Sequence, residues 1–281
     1  MNAPADATPR APLALPARVL VRPVSDSYAA CLRMAGDAPI SVAVARAQHA
    51  AYVAAVASSG VPVTVVVPDD LCADACFVED TAVVTGRHAV ATRPGAPSRR
   101  AEVGPVAQAL APFVTVHGMQ SPATLDGGDV LRAGAALYVG LSSRTNREGA
   151  ARLAEIASMD GLETHVLRVA SREGAGLHLK SACTLVDAAT LIYDPAQLDA
   201  DALAMFRASG LTCVAALEPE GANVLALGPH VLASAAAPLT AALLEARGHR
   251  VVRVDVSEIH KGDGALTCLS LRLPPAGGVT T

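Results

Sequence analysis

The sequence predicts an α/β ring of five strand–turn–strand–helix–strand units, closed by pairing its first strand with its last. Three observations point there. The same order of elements recurs along the chain although direct identity between copies is weak. Stretches with apolar residues at three- and four-residue spacing alternate with short Val/Leu-rich runs bounded by Gly, Pro or Asp. The last copy is complete only when the two ends of the sequence are read together.

The first whole copy reads "FVEDTAVVTGRHAVATRP" as two strands about a Gly turn, "SRRAEVGPVAQALAPF" as a helix and "VTVHGM" as a strand. The second runs "LDGGDVLRAGAALYVGL", "TNREGAARLAEIASMDG" and "LETHVLRV". The third runs "LHLKSACTLVDAATLIYD", "PAQLDADALAMFRASG" and "LTCVAALE". The fourth runs "GANVLALGPHVLASAAA", "PLTAALLEARG" and "HRVVRVDV". The fifth takes its opening strand from "GDGALTCLSLRLP" and its remainder from "RVLVRPVS", "SVAVARAQHAAYVAAVASSG" and "VPVTVVVP". Several helices stop at glycine, as at Gly60, Gly161, Gly210 and Gly248. No single unit can bury its apolar face, so the ring is expected to form one domain over residues 1–281. Its ordered core should span about 18–273, with frayed tails on either side.

Composition narrows the function. The 281 residues are 52% hydrophobic with three Phe, four Tyr and no Trp, so the core is built from Ala, Val and Leu. A net charge of −4 and scarce aromatics leave no footprint for nucleic acid. No apolar run reaches the ~18–20 residues of a membrane helix, and the N-terminus lacks a signal-peptide pattern, which points to the cytoplasm. The six cysteines are scattered, without zinc-like spacing or a disulfide framework. A small organic molecule is the expected partner.

The repeat also selects residues. Aligning the first strand of each copy places Glu79, Asp126, His178, Asn223 and Cys268 at nearly one phase, 45 to 52 residues apart. In a closed ring that phase faces the axis, and polar groups there converge. A thiol, an imidazole and a carboxylate together make an activated nucleophile, a general acid/base and its orienting group. The pair Gly127–Gly128 in "TLDGGDVL" allows another segment or a ligand to approach closely. In "DACFVED", Asp74, Glu79 and Asp80 form an acidic group that needs a cation. A metal would blunt the thiol, whereas a planar guanidinium would pair with the carboxylates in bidentate fashion.

The runs "CFVEDTAVV", "TRPGAPSRR", "TLDGGDVL", "VGLSSRTN", "GLHLKSAC" and "GDGALTC" closely resemble the dimethylarginine dimethylaminohydrolases, in order from about residue 18 to 273. The resemblance implies the five-fold pseudosymmetric α/β-propeller, or pentein, fold of the guanidino-group modifying enzymes. It implies Cys268 as nucleophile, His178 as acid/base and Asp126 as the carboxylate orienting it. It further implies Asp74, Glu79, Asp80 and Asp263 as substrate-binding groups, Arg93 and Arg144 as holders of the substrate α-carboxylate, and Leu32 as the apolar residue of a mobile lid. The implied reaction converts Nω-methylated arginine to citrulline and methylamine or dimethylamine through an S-alkylthiouronium intermediate, without a metal or other cofactor. Family members occur as monomers and as homodimers. Arginine deiminase and amidinotransferase activity are the alternatives within this chemistry, and a non-catalytic binding protein is the alternative outside it. The acidic surroundings of Cys268 further predict that the bound cation helps to form its thiolate.

Overall fold

The computed structural model describes residues 11–34, 36–168 and 178–275; the outer parts of both expected tails, 1–10 and 276–281, lie outside the described residues. The chain opens with β1 (Arg18–Val21), α1 (Val42–Ser58) and β2 (Val63–Val65). The first whole unit is β3 (Ala82–Val84), β4 (His88–Ala91), α2 (Val103–Leu110) and β5 (Thr115–Gly118). The second is β6 (Val130–Ala133), β7 (Ala136–Leu141), α3 (Arg147–Ser158) and β8 (Glu163–Arg168). A short helix, α4 (Leu179–Ala182), precedes the third: β9 (Cys183–Asp187), β10 (Thr190–Tyr193), α5 (Ala200–Ala208) and β11 (Thr212–Ala215). The fourth is β12 (Leu225–Leu227), β13 (His230–Ser234), α6 (Pro238–Ala246) and β14 (Arg250–Val254). A further short helix, α7 (Ser257–His260), leads to β15 (Leu271–Leu273).

These strands form five three-stranded sheets of one pattern. In each, the middle strand pairs antiparallel with the first and parallel with the third, as β4 does with β3 and β5. The antiparallel step needs only a tight turn. The parallel step needs a crossover, which the long helix of each unit supplies. The sheet β15–β1–β2 unites opposite ends of the chain, with Arg18 opposite Leu273 and Leu20 opposite Leu271. This is the α/β five-unit ring that the repeat predicted.

The helices sit where their caps and apolar spacing put them. Ser41, Asn146 and Asp199 accept backbone N–H groups from the first turns of α1, α3 and α5. α1 buries Ala45, Gln48, His49, Tyr52 and Val56, a stripe at three- and four-residue spacing. Just past the ends of α1 and α3, Gly60 and Gly161 take φ of 86° and 73°, which an L side chain rarely adopts. The largest apolar cluster joins α1 to Val19, Val21, Phe77, Leu225, Leu232, Leu266 and Leu269, so it packs the seam at which the ring closes. The Tyr52 hydroxyl donates to Ser270 Oγ at 2.8 Å within this cluster.

One expectation changes for the N-terminal segment. Residues 11–17 do not fray. The Ala188 N–H donates to the Ala11 carbonyl, the Ala17 N–H donates to Leu273, and Leu13 packs against two apolar clusters. Apolar contact on both sides ties this stretch down despite its prolines. Among the described residues no helix is long and apolar enough to cross a membrane.

Candidate active site

The first strand of every sheet is preceded by a single helical turn: Val78–Thr81, Gly127–Asp129, α4, Pro219–Ala222 and Thr267–Leu269. The turns pack in sequence around the axis, and Asn223, just after the fourth, meets Thr267 of the fifth. The site is built on these turns, which corrects the expectation that its residues lie on strands. Cys268 sits in the turn Thr267–Leu269, three residues before β15. Leu266 and Leu269 are both fully buried, and their three-residue spacing is that of a 3₁₀ turn. The preceding "GDG" cannot continue a strand, because Asp263 takes φ of 56°. His178 is the N-cap of α4, and Glu79 and Asp80 share the turn Val78–Thr81.

A small pocket of about 20 Å³ is lined by Leu32, Asp74, Asp80, Arg144, His178, Asp263 and Cys268 among others. Asp126 stands directly behind the histidine, its Oδ2 3.0 Å from His178 Nε2. Asp126 is fully buried, accepts the Gly95 N–H at 2.9 Å, and has its own N–H bound to Thr145 Oγ1. Asp80 lies 3.9 Å from the other imidazole nitrogen. It accepts the Gly128 N–H at 2.9 Å and Arg99 Nη1 at 2.5 Å. Burial opposes charge on His178, but Asp80, Asp129 and the hydrogen bond to Asp126 overcome it and raise the imidazole to about 9. The imidazole is therefore protonated at neutral pH. Burial works against the Asp80 carboxylate too, yet His178 and Arg99 hold it down at about 2. For Cys268, burial, Glu79 and Asp80 act together and push the thiol up to about 12.

Among the described residues, Asp80, Asp126 and His178 each offer a ligand atom within 4.8 Å of the others, so they are the group that could hold a metal. Their charges are already matched by Arg99 and the imidazolium, which favours the hydrogen-bonded arrangement over a metal centre. The loop over the pocket is tied by its own backbone. The Leu32 N–H points at the Asp74 carboxylate at 3.2 Å and 3.3 Å, and the Met34 N–H donates to Asp263. Burial raises the Asp74 carboxyl against the pull of Arg99.

Three assignments change. Glu79 does not line this pocket. Its carboxylate pairs with Lys180 at 2.6 Å and Arg272 at 3.3 Å and accepts the Thr267 hydroxyl at 2.8 Å. The turn aims neighbouring residues in different directions, so Asp80 meets the histidine while Glu79 meets the lysine. Glu79, Lys180 and Thr267 instead line a second cavity of about 370 Å³, bordered by Leu13, Pro16 and Pro274. Arg93 is the second correction. Its guanidinium donates to the Ala123 carbonyl and is not among the pocket's lining residues. The "TRPG" run serves the site through its backbone, the Gly95 N–H on Asp126. The pocket's other guanidinium is Arg99, at the end of the same quoted run "TRPGAPSRR". It is buried among Asp80, Glu102 and the carbonyls of Asp74 and Phe77. Third, Asn223 does not reach the thiol. It binds the Lys180 carbonyl and both the hydroxyl and N–H of Thr267. Cys183 packs in an apolar cluster away from the pocket.

Arg99 and Lys180 were the residues sequence reasoning missed. Arg99 carried one signal, a helix-like i,i+3 spacing to Glu102. Lys180 carried another, since it stands three residues before its strand, as Glu79 and Cys268 do before theirs.

The close approach expected at Gly127–Gly128 is present. A Cβ on Gly127 would lie 2.0 Å from the Glu79 carbonyl oxygen, and one on Gly128 would lie 2.8 Å from the His178 ring and from Asp80 Oδ1. Gly128→Ala should therefore push the imidazole off Asp126 and lower turnover about 100-fold, within the range that general acid–base catalysis supplies. Steady-state kinetics checks this, with circular dichroism showing that the fold survives.

Three comparisons bear on this geometry. The arginine deiminase family model matches residues 105–210. The N(G),N(G)-dimethylarginine dimethylaminohydrolase of Streptomyces coelicolor is 41% identical over 228 residues, covering 80% of this chain and 84% of that protein. Among solved structures, the enzyme from Pseudomonas aeruginosa, a cysteine-to-serine mutant complexed with citrulline, superposes with a TM-score of 0.85 at 30% identity. It covers 92% of this chain and all of that one. A histidine-to-glycine dimethylarginine dimethylaminohydrolase, as an adduct with S-methyl-L-thiocitrulline, matches with the same TM-score, identity and coverage.

Proposed function

The chain belongs to the dimethylarginine dimethylaminohydrolase family, and from that premise we infer that it hydrolyses asymmetric dimethylarginine and monomethylarginine to L-citrulline and dimethylamine or methylamine. The observation that carries the reading is the pocket shared by Cys268, an imidazolium at His178 and the carboxylates Asp74 and Asp80. Carboxylates beside a thiol are groups that recognise a cationic planar guanidinium. The activity is that of a hydrolase acting on the C–N bond of an amidine.

The steps follow from the charges. The free thiol is protonated at neutral pH, because burial, Glu79 and Asp80 all disfavour the thiolate. A bound guanidinium cancels the nearby negative charge and lets the thiol lose its proton to solvent. The Cys268 sulfur then forms a bond to the guanidinium carbon. The bond from that carbon to the methylated nitrogen breaks, and the departing amine takes the proton of His178. The neutral imidazole next removes a proton from water, whose oxygen attacks the thiouronium carbon. The C–S bond breaks, and the new hydroxyl passes its proton to the departing sulfur, releasing neutral citrulline and returning the thiol. Asp126 holds the ring in place through both steps.

Ligand pockets are about 300–1,000 Å³, far larger than the space over Cys268. The Leu32–Met34 loop must therefore shift and release Asp74 and Asp263 as substrate enters. Arg144, whose Nη1 is buried without a hydrogen-bond partner, is the group we assign to the substrate α-carboxylate.

The second reading, arginine deiminase, is favoured by the partial family match at residues 105–210. Citrulline formation from asymmetric dimethylarginine, monomethylarginine and arginine separates the two. The methylated substrates should be turned over at least about tenfold faster by kcat/KM, a difference of about 1.4 kcal/mol in the barrier. A clear preference for arginine would overturn the assignment.

A further inference from the structure

Asp129 closes the "LDGGD" run, and no role has so far been given to it. It is fully buried. Its Oδ2 accepts the Ser142 hydroxyl at 2.6 Å and the Thr145 hydroxyl at 2.7 Å, and its Oδ1 accepts the Leu179 N–H at 3.0 Å. The direction of the two hydroxyl bonds is fixed. Ser142 Oγ accepts the N–H groups of Arg144 and Thr145, and Thr145 Oγ1 accepts the N–H of Asp126. Both hydroxyl protons are thus left to point at Asp129, which accepts three hydrogen bonds, as a carboxylate does. Each bond leads to a different part of the site. Through Leu179 it reaches the residue next to His178, through Thr145 it reaches the backbone of Asp126, and through Ser142 it reaches the backbone of Arg144.

We propose that Asp129 is a positioning residue, one buried carboxylate that fixes His178, Asp126 and the Arg144 loop relative to one another. Without it the His178–Asp126 hydrogen bond would remain, but no one group would tie that pair to the Arg144 loop. Proton transfer between the imidazole and the leaving amine depends on that geometry. Asp129 touches no reacting atom and acts through its neighbours. Burial raises the Asp129 carboxyl, while His178 and the three hydrogen bonds pull it down and favour its charge. His178 is faced by Asp126 at 3.0 Å, by Asp80 at 3.9 Å with Arg99 behind it, and by Asp129, while Cys268 lines the same pocket. Removing one negative charge from this set lowers the pH at which the imidazolium gives up its proton.

The proposal rests on the methylarginine hydrolase reading, and the test keeps the two apart. Asp129→Asn preserves shape but removes the charge and one acceptor. We expect kcat for asymmetric dimethylarginine to fall about 30-fold, with KM within about threefold of the unaltered protein, because the loss falls on proton transfer rather than on binding. The His178 titration midpoint, read by histidine NMR in the free protein, should move down from near 9. A purely packing role would lower the melting temperature and leave the midpoint where it was. Thr145→Ser should keep the unaltered rate, while Thr145→Val, which cuts the link to Asp126, should lower it about tenfold. Unaltered kcat and midpoint in Asp129→Asn would overturn the proposal. Should that variant fail to fold, an unaltered rate in Thr145→Val would do so. An inactive parent protein would sink the functional reading instead, and the titration midpoint would still report on Asp129.

Discussion

Cys268→Ser will leave asymmetric dimethylarginine bound and unhydrolysed. We expect turnover to fall at least about 1,000-fold, because a serine hydroxyl beside a guanidinium is a far weaker nucleophile than a thiolate. Binding should survive, because Asp74, Asp80 and Arg144 are untouched. Calorimetric titration with the substrate, together with a citrulline assay, checks both halves. Turnover near the unaltered rate would remove Cys268 from the mechanism. Loss of binding alone would make it a contact residue.

The second large effect is on stability. Arg99→Leu removes the guanidinium bound to Asp80, and the same group also holds Glu102 at 2.8 Å. Both carboxylates are buried, and breaking such a cluster by deleting one partner costs about 3–5 kcal/mol, since the remaining charges stay out of water. For a chain of this size that corresponds to a drop in melting temperature on the order of 10 °C. The carbonyls of Asp74 and Phe77 would lose their donor as well. Arg99→Lys keeps the charge but not the planar fork, and should fall between the two. A thermal melt of the three proteins settles the order. An Arg99→Leu melt unchanged within a degree or two would show that the cluster contributes nothing to stability.

How far the sequence reached depended on which residues bear a periodic signal. The five units could be read because each carries a long helix and Val/Leu-rich strands, and these impose spacing over many residues. Asp126, His178 and Cys268 could be found because the repeat brought their positions close, and the structure places His178 and Cys268 on one pocket with Asp126 behind the imidazole. The turns that bear them were not legible. A turn of three or four residues shows too few periods to be told from the end of a strand, so "VEDTAVV" read as strand throughout although only Ala82–Val84 is one. That is why Glu79 was grouped with Asp80, and why Arg99 was not singled out beside Arg93. Direction within a single turn decides both cases, and direction depends on packing between units that are distant in sequence.

One consequence concerns how the molecule is made. β1 has β2 as its parallel neighbour early in synthesis, but its antiparallel partner β15 emerges only after the four units between them. The closing contact therefore has a very large sequence separation, which slows folding and leaves a strand edge open meanwhile. The Cys268 thiol, the nucleophile proposed above, travels on the same late segment. A nascent or truncated chain lacking it would hold the acidic residues and the imidazole without the sulfur, so competence for chemistry and completion of the ring arrive as a single event.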